Sequence, residues 1–224
     1  MSSETGILAV LNNVESGIEA EYDEWYQKEH IPERVGVPGF RSGRRFRARG
    51  CDPEFLSIYE VDSVGVLSSA AYLERLNGPT DWTQRMMPMF RDMRRCVCTV
   101  KARAGSVGIG GVATVCQFNL SVDAAEGLHD WISNHVLAEI GASSGVVNAE
   151  LWRIDAVASR VLTTESNLRV SDREVPDWGV FVEGVDSEAV EILEMRLPTE
   201  SLVECGATSI EFLPKYQMLY ALRA

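Results

Sequence analysis

The sequence has no run of roughly 18 consecutive apolar residues, the minimum for a membrane-spanning helix. Its N-terminal segment, MSSETGILAV, also lacks a basic region followed by a long apolar stretch, which a secretory signal peptide requires. We therefore expect a cytoplasmic protein that does not associate with membranes.

The cysteines are few, and their spacing does not suggest disulfide or metal-binding pairs. The five cysteines are odd in number and none forms a CxxC pair: Cys51, Cys96, Cys98, Cys116 and Cys205. This pattern favours reduced thiols over a disulfide framework or a cysteine metal site. With 224 residues, 46% of them hydrophobic, the chain can bury a core without such staples.

Several common catalytic motifs are missing. The sequence has no glycine-rich phosphate loop, no GxSxG elbow and no HExxH zinc motif, and its only histidines are His30, His129 and His135. We expect no metal site and no bound cofactor. Because a haem needs only one axial histidine, a haem enzyme using His30 or His135 remains an alternative.

Basic residues are in deficit. The 21 Lys and Arg face 33 Asp and Glu, which gives a formal net charge of −12. Such a charge repels phosphate, so we expect neither nucleic acid nor anionic lipid as a partner. The excess of acidic residues lies mostly in the second half of the chain. Residues 1–105 contain 14 basic and 15 acidic side chains, whereas residues 106–224 contain 7 basic and 18 acidic ones.

The two halves of the sequence resemble each other, which indicates an internal repeat. The glycine-rich segment AGSVGIGG lacks periodicity and predicts a linker over 105–111, between a first unit at 1–104 and a second at 112–224. A shift of about 106 residues superposes the two halves at Asn13 and Asn119, Trp25 and Trp131, Gly39 and Gly145, Phe46 and Trp152, and Arg47 and Arg153.

The pattern in each half predicts the element order β-α-β-β-α-β, the ferredoxin-like arrangement in which helices cover one face of an antiparallel sheet. The other face is also apolar and must be buried. We therefore predict an α+β protein in which two ferredoxin-like repeats pack sheet to sheet within one chain. The alternative is a single sheet without a true repeat.

The segment WYQKEHIPERVGVPGF (Trp25–Phe40) resembles the dimeric α/β-barrel superfamily, in particular its EthD-like members, in which a helix ends in a similar aromatic, histidine and proline pattern. The resemblance implies a pocket between sheet and helices. It does not fix a reaction, since the superfamily includes cyclases, isomerases, decarboxylases, cofactor-free monooxygenases and haem enzymes. The corresponding segment WISNHVLAEIGASSGV lacks the proline and has its histidine one residue closer to the tryptophan.

Three residues are candidates for catalysis. Ile18, Tyr22, Tyr26 and His30 follow helical spacing, so His30 should face the sheet, where an imidazole can act as acid or base. Strand alternation lets Arg45 enter the same pocket and bind an oxyanion. The superfamily resemblance implies that the strand face carrying Tyr59 looks towards the helices, so its hydroxyl can donate a hydrogen bond to the same oxygen. The alternatives are a core imidazole, arginines paired with surface glutamates, and a locally satisfied tyrosine.

Further residues are candidates for substrate binding. The superfamily resemblance implies that the strand faces carrying Asn12 and Ser57 look towards the helices and the pocket. Ser57 shares a strand face with Tyr59, and the stretch NGPTDWTQRMMPMF predicts either a lid or plain packing. In the second half, Leu128, Trp131, Ile132 and His135 form a comparable helical stripe. The substrate-binding candidates are Asn12, Tyr26, Gln27, Ser57, Asp81, Trp82 and His135.

These observations predict a cofactor-independent lyase, decarboxylase or isomerase that applies general acid–base catalysis to a small apolar, aromatic metabolite. A non-catalytic small-molecule-binding or assembly protein of the same fold is the alternative, and a haem-dependent dehydratase or peroxidase is a third. The expected partner is a small molecule. Association into homo-oligomers is left open.

Overall fold

A computed structural model describes residues 4–106, 108–121 and 125–224, which fall into two compact units. Unit 1 comprises the described part of Met1–Thr99, with Asp155–Val175 and Leu219–Ala224. Unit 2 comprises Val100–Ile154 and Pro176–Met218.

This division differs from the continuous one predicted at 1–104, 105–111 and 112–224. One strand runs without a break from Phe90 to Gly105, so the boundary falls inside a strand and not at the glycine-rich segment. Asp155–Val175, which we call the covering segment, belongs to unit 1 because it is hydrogen-bonded there. The Arg173 amide, for example, donates to the carbonyl of Met93 at 2.7 Å.

The helices and strands alternate along the chain. In order they are β1 (Gly6–Val14), α1 (Glu19–Trp25), α2 (Ile31–Val35), β2 (Phe40–Arg47), β3 (Phe55–Val61), α3 (Ala70–Asn77), α4 (Asp81–Met86), β4 (Phe90–Gly105), β5 (Val112–Leu120), α5 (Ala125–Trp131), α6 (Leu137–Gly141), β6 (Val146–Asp155), α7 (Thr164–Asn167), β7 (Trp178–Gly184), α8 (Ser187–Arg196), α9 (Thr199–Glu204), β8 (Ala207–Phe212) and β9 (Tyr216–Arg223).

The sheet of unit 1 has the order β4-β1-β3-β2, with each adjacent pair antiparallel. In this register Leu8 lies opposite Tyr59, and Gly43 lies opposite Tyr59 on the other side. The face that carries these residues packs against the helices, because Tyr22 and Trp25 of α1 join Leu8 in one buried cluster. The predicted β-α-β-β-α-β order is confirmed for this unit.

Unit 2 repeats the arrangement. Its strands are ordered β6-β7-β5-β8, again antiparallel, with β9 continuing beside β5 at Val112 and Ala113. Cys116 and Val180 pack there with Ile132 and Leu193 of the helical layer. The connection from β6 to β7 carries the covering segment, which is why unit 1 is discontinuous.

Each unit contains one π-helical turn at the same place. In unit 1 it spans Tyr26–His30, and in unit 2 it spans Ile132–Val136. A π turn holds one residue more than an α turn, so it rotates the following residues around the helix axis. Its last residue faces the core in both units, and that residue is His30 in one and Val136 in the other.

No described helix is long and apolar enough to cross a membrane. All five cysteines are free thiols. Cys96 and Cys98 are buried, and burial raises the pKa of the Cys96 thiol to about 12, which makes it a poor nucleophile.

Close backbone packing at the end of α6 gives a test of unit 2. A Cβ atom at Gly141 would lie 2.6 Å from the amide nitrogen of Gly105, whereas one at Gly127 of α5 would meet nothing within 4 Å. We expect Gly141→Ala to lower the free energy of unfolding by about 1–3 kcal/mol. The control Gly127→Ala should leave it unchanged or raise it by up to about 1 kcal/mol. Urea denaturation measures both, and equal effects would contradict the packing described.

Candidate functional site

A cavity in unit 1 lies between the helix-covered face of the sheet and the helices, and the covering segment closes it. We call it the inner cavity. Its lining includes Tyr26, His30, Arg34, Tyr59, Phe90 and Glu165. The space open to the centres of water molecules is about 30 Å³, which is room for about two waters. The inner cavity is therefore nearly filled by its own side chains.

His30 ends the π turn and is held between aromatic rings. Its ring centroid lies 4.3 Å from that of Trp25 and 4.9 Å from that of Tyr26. Its side chain is 6% exposed, and its Nδ1 has no hydrogen-bond partner among the described residues. Burial, followed by the positive charges of Arg34 and Arg45, holds the pKa of His30 well below its usual value. The imidazole is therefore neutral at neutral pH.

Tyr59 presents a second unpartnered polar group to the inner cavity. Its hydroxyl is buried without a hydrogen-bond partner among the described residues. The absence of a side chain at Gly43 makes room for the ring, since a Cβ there would lie 3.1 Å from the Tyr59 ring. Burial raises the pKa of Tyr59 well above its usual value, so the phenol stays protonated and can donate a hydrogen bond.

A buried ion pair joins α2 to the covering segment. Nη2 of Arg34 binds Oε2 of Glu165, and the two residues are 2% and 6% exposed. Nη1 of Arg34 lies 3.4 Å from Oε2 of Glu33 but makes no hydrogen bond. Burial alone would lower the pKa of Arg34, but Glu165, Tyr72 and Glu33 together outweigh burial and raise that pKa. The inner cavity thus contains a fixed cation with an unused donor.

A reciprocal cap places Glu165. The Ser166 amide donates to Oγ1 of Thr163 at 3.1 Å, and the Thr163 amide donates to Oγ of Ser166 at 2.8 Å. This capping box satisfies amides at the start of α7, a helix too short to be stable by itself. Glu165 lies in the first turn of α7, so its carboxylate is presented to Arg34.

The structure brings together three predicted residues, because His30, Tyr59 and Tyr26 all line the inner cavity. Arg45 is not among them, which corrects the expectation that it enters the pocket. Its Nη1 is 2.7 Å from Oδ1 of Asp23, and its guanidinium lies 4.3 Å from the ring centroid of Tyr26. Arg45 is thus held behind the aromatic layer, whereas Arg34 is one of the cations that line the inner cavity.

Other predicted substrate-binding residues lie elsewhere. Asn12 is buried and exchanges hydrogen bonds of 2.8 and 3.0 Å with the Tyr22 hydroxyl. Ser57 is buried in β3, whereas Gln27 and Asp81 are exposed. Nε1 of Trp82 donates to Glu21 at 3.2 Å on the outer side of the helices. We find none of them among the described residues of the inner cavity.

The prediction that His135 binds substrate in a pocket is also wrong, because this residue is exposed. The π turn of unit 2 directs Val136 to the core, 3% exposed, and leaves the preceding residue in solvent. A one-residue difference in the position of the histidine therefore removes it from the interior. The corresponding place in unit 1 is held by Glu29, whose carboxylate accepts from Thr80 at 2.6 Å.

Sequence reasoning missed Arg34 and Glu165. Arg34 follows His30 by four residues, so extending the helical stripe by one more step would have found it. Glu165 gave no comparable signal, because it lies 131 residues from Arg34 in the sequence. No cluster of three or more metal-ligating side chains occurs in the described part of the chain.

The buried ion pair generates a stability test. Glu165→Gln removes the charge that compensates Arg34, so we expect the free energy of unfolding to fall by about 3–5 kcal/mol. Amide hydrogen exchange in the covering segment should accelerate. The control Glu24→Gln removes a surface ion pair with Lys28 and should change stability by at most about 1 kcal/mol. Equal losses of unfolding free energy in the two variants would contradict a larger contribution from the buried ion pair than from the surface ion pair.

The lowered pKa of His30 predicts a pH dependence. Near pH 6.5 and below, the unfolded chain binds a proton on His30 that the folded protein does not bind until lower pH. Stability should therefore fall as the pH drops below about 6.5, with a slope of up to about 1.4 kcal/mol per pH unit from this group. His30→Gln should reduce that slope, whereas His135→Gln should keep it. Melting temperatures from pH 5 to 8 measure the difference, and parallel curves for all three proteins would refute it.

Comparison with known proteins gives the fold. No family model and no curated protein sequence matches the chain. A solved candidate monooxygenase from Fusobacterium nucleatum subsp. nucleatum has a TM-score of 0.64 and 11% identity, covering 100% of this chain and 96% of that one. An anthrone oxidase-like protein has a TM-score of 0.65 and 12% identity, covering 99% and 93%.

Chlorite dismutase from Candidatus Nitrospira defluvii, solved as an R173K mutant, has a TM-score of 0.59 and 11% identity, covering 98% of this chain and 93% of that one. At these identities the likeness shows the fold alone. The chain has the α+β fold of the dimeric α/β-barrel proteins, with two ferredoxin-like units in one polypeptide.

Proposed function

We propose that this chain is an enzyme in which His30 removes a proton from a small apolar, aromatic metabolite without a bound cofactor. The observation that carries the proposal is the pairing of two unsatisfied neutral groups in one buried cavity. Nδ1 of His30 and the hydroxyl of Tyr59 both lack a hydrogen-bond partner among the described residues. Buried polar groups normally have partners, so such groups are candidates for contact with a ligand.

The proposed step is a proton transfer. The neutral imidazole of His30 takes a proton from an acidic C–H or O–H bond of the substrate, and the electron pair stays on the substrate as an enolate or phenolate. The hydroxyl of Tyr59 donates a hydrogen bond to that oxygen, and Arg34 supplies positive charge nearby. Because burial lowers the pKa of His30, its protonated form is a stronger acid than a free imidazolium and returns the proton more readily.

The outcome of the step defines the reaction class. Return of the proton to another carbon makes an isomerase, and loss of carbon dioxide from the anion makes a decarboxylase or lyase.

We assign the protein to the EthD-like branch of the superfamily on the WYQKEHIPERVGVPGF motif, whose histidine is His30. A haem role is less suitable, because His135 is exposed and the His30 ring is enclosed by Trp25 and Tyr26.

A second candidate is a cofactor-free monooxygenase, which the fold likeness to candidate monooxygenases and an anthrone oxidase-like protein favours. It would begin with the same proton removal, after which the carbanion reacts with O2. For anthrone the balanced reaction with one O2 gives anthraquinone and one water. The two candidates therefore share their first step and differ in the fate of the anion.

One experiment separates the steps. Under anaerobic conditions in D2O, deuterium incorporation into anthrone or 2-tetralone, both ketones with acidic benzylic C–H bonds, measures proton removal by mass spectrometry. We expect His30→Ala to slow exchange by about 10²- to 10⁴-fold. The control His135→Ala should exchange at the wild-type rate, because His135 is exposed.

The same probes in air measure O2 uptake, and uptake that depends on His30 would identify the monooxygenase. Exchange as fast in His30→Ala as in the wild type would eliminate His30 as the base. Saturable binding of both probes with no exchange above background would support the non-catalytic binding protein.

A further inference from the structure

A second and larger cavity adjoins the inner cavity within unit 1. We call it the entrance groove. Its volume is about 360 Å³, and it is lined by the covering segment together with Arg95 of β4. Four residues line both cavities, namely Arg95, Val161, Ser166 and Arg169. The entrance groove thus adjoins, at these four residues, the cavity that His30 and Tyr59 line.

The charge of the entrance groove is opposite to that of the chain. Four arginines line it against two carboxylates, although the protein has a net charge of −12. The arginines are Arg95, Arg160, Arg169 and Arg173, and the carboxylates are Asp172 and Glu174. A local excess of positive charge in an acidic protein attracts small anions.

Two of these arginines already have carboxylate partners. Nε and Nη2 of Arg169 lie 2.9 and 2.7 Å from the carboxylate oxygens of Asp172. Nη2 of Arg173 lies 3.4 Å from a carboxylate oxygen of Asp52 and 3.4 Å from one of Asp92. These two side chains shape the wall, and little of their charge is left for a ligand.

The other two arginines have donors to spare. Nη1 of Arg95 donates to the carbonyls of Ala158 and Ser159 at 3.1 and 3.4 Å, which aligns the guanidinium. Its Nη2 is buried and has no hydrogen-bond partner among the described residues. Arg160 is exposed and forms no side-chain ion pair within the described part of the chain. A planar guanidinium with a free edge suits a carboxylate.

The remaining wall is apolar. Leu162 is 88% exposed, and Val161 and Val175 also line the entrance groove. A large aliphatic side chain left so open beside arginines provides a contact for an apolar ring or chain. The ligand chemistry that fits is therefore an amphipathic anion.

We propose that the entrance groove binds the carboxylate of an aromatic acid through Arg95 and Arg160, with the ring directed toward the inner cavity. The preferred substrate is then an aromatic compound that carries a carboxylate, and the reacting part of its ring system is the same as in the neutral ketones used to measure exchange. This inference rests on the proposed function, because it names the substrate class of the same site. Since the inner cavity holds about two waters, Val161 and Ser166 must move for the ring to reach His30.

Calorimetric titration with 2-naphthoate and with the neutral analogue 2-naphthalenemethanol tests the inference on the full chain. We expect Arg160→Gln to weaken naphthoate binding by about threefold to fivefold and Arg95→Gln by about tenfold or more. Neither should change the affinity for the neutral analogue. Raising the salt concentration should weaken only naphthoate binding.

Two further variants make the result decisive. Arg49→Gln removes an exposed arginine outside both cavities and should leave naphthoate binding unchanged. Arg160→Gln breaks none of the side-chain hydrogen bonds described here, so it tests the charge even if Arg95→Gln disturbs the covering segment. The inference is overturned if the neutral analogue binds wild type as tightly as naphthoate, or if Arg49→Gln weakens binding as much as Arg160→Gln.

The two proposals fail in different ways. His30→Ala should keep naphthoate binding in the entrance groove, because His30 does not line it. If exchange depends on His30 while naphthoate binding is indifferent to Arg95 and Arg160, the carboxylate site is wrong and the proton transfer stands. If naphthoate binding depends on the arginines but no exchange occurs, the catalytic role of His30 is wrong and the binding site stands.

Discussion

The contact between Arg34 and Glu165 is the constraint on which the site depends. Both groups are buried, so each would be costly to keep charged without the other. Their pairing fixes the covering segment over the helix-covered face of the sheet. That cover is what excludes water from His30 and Tyr59, and the protonation states of both residues follow from this exclusion.

Burial moves the pKa values of the two candidate catalytic groups in opposite directions, and both groups end up neutral. A histidine loses its proton when desolvated, whereas a tyrosine keeps it. The site thus offers one proton acceptor and one hydrogen-bond donor without placing a net charge on either. These two positions therefore present no charged side chain to an apolar ligand, while Arg34 lines the same cavity as a cation.

The local pattern of the sequence was sufficient for the element order in each half and for the inward direction of His30, because helix and strand periodicity carry that information. The direction of Tyr59 came from the superfamily resemblance, since strand alternation alone does not say which face meets the helices. It was not sufficient where one extra residue in a π turn rotates a helix, which is why His135 was wrongly directed inward. Periodicity also does not show that Arg45 forms an ion pair with Asp23. Glu165 contacts Arg34 although 131 residues separate them in the sequence, and a local sequence pattern carries no information about so long-range a contact.

The covering segment lies in sequence between two strands of unit 2, yet it folds as part of unit 1. A gene that encoded only the first repeat would therefore produce the candidate catalytic side chains without the residues that shield them from solvent. The second repeat contributes to the candidate site through this segment, even though its own π turn ends in a valine where the first ends in a histidine. The candidate site in the first half is therefore closed by a segment whose position in the sequence lies within the second half.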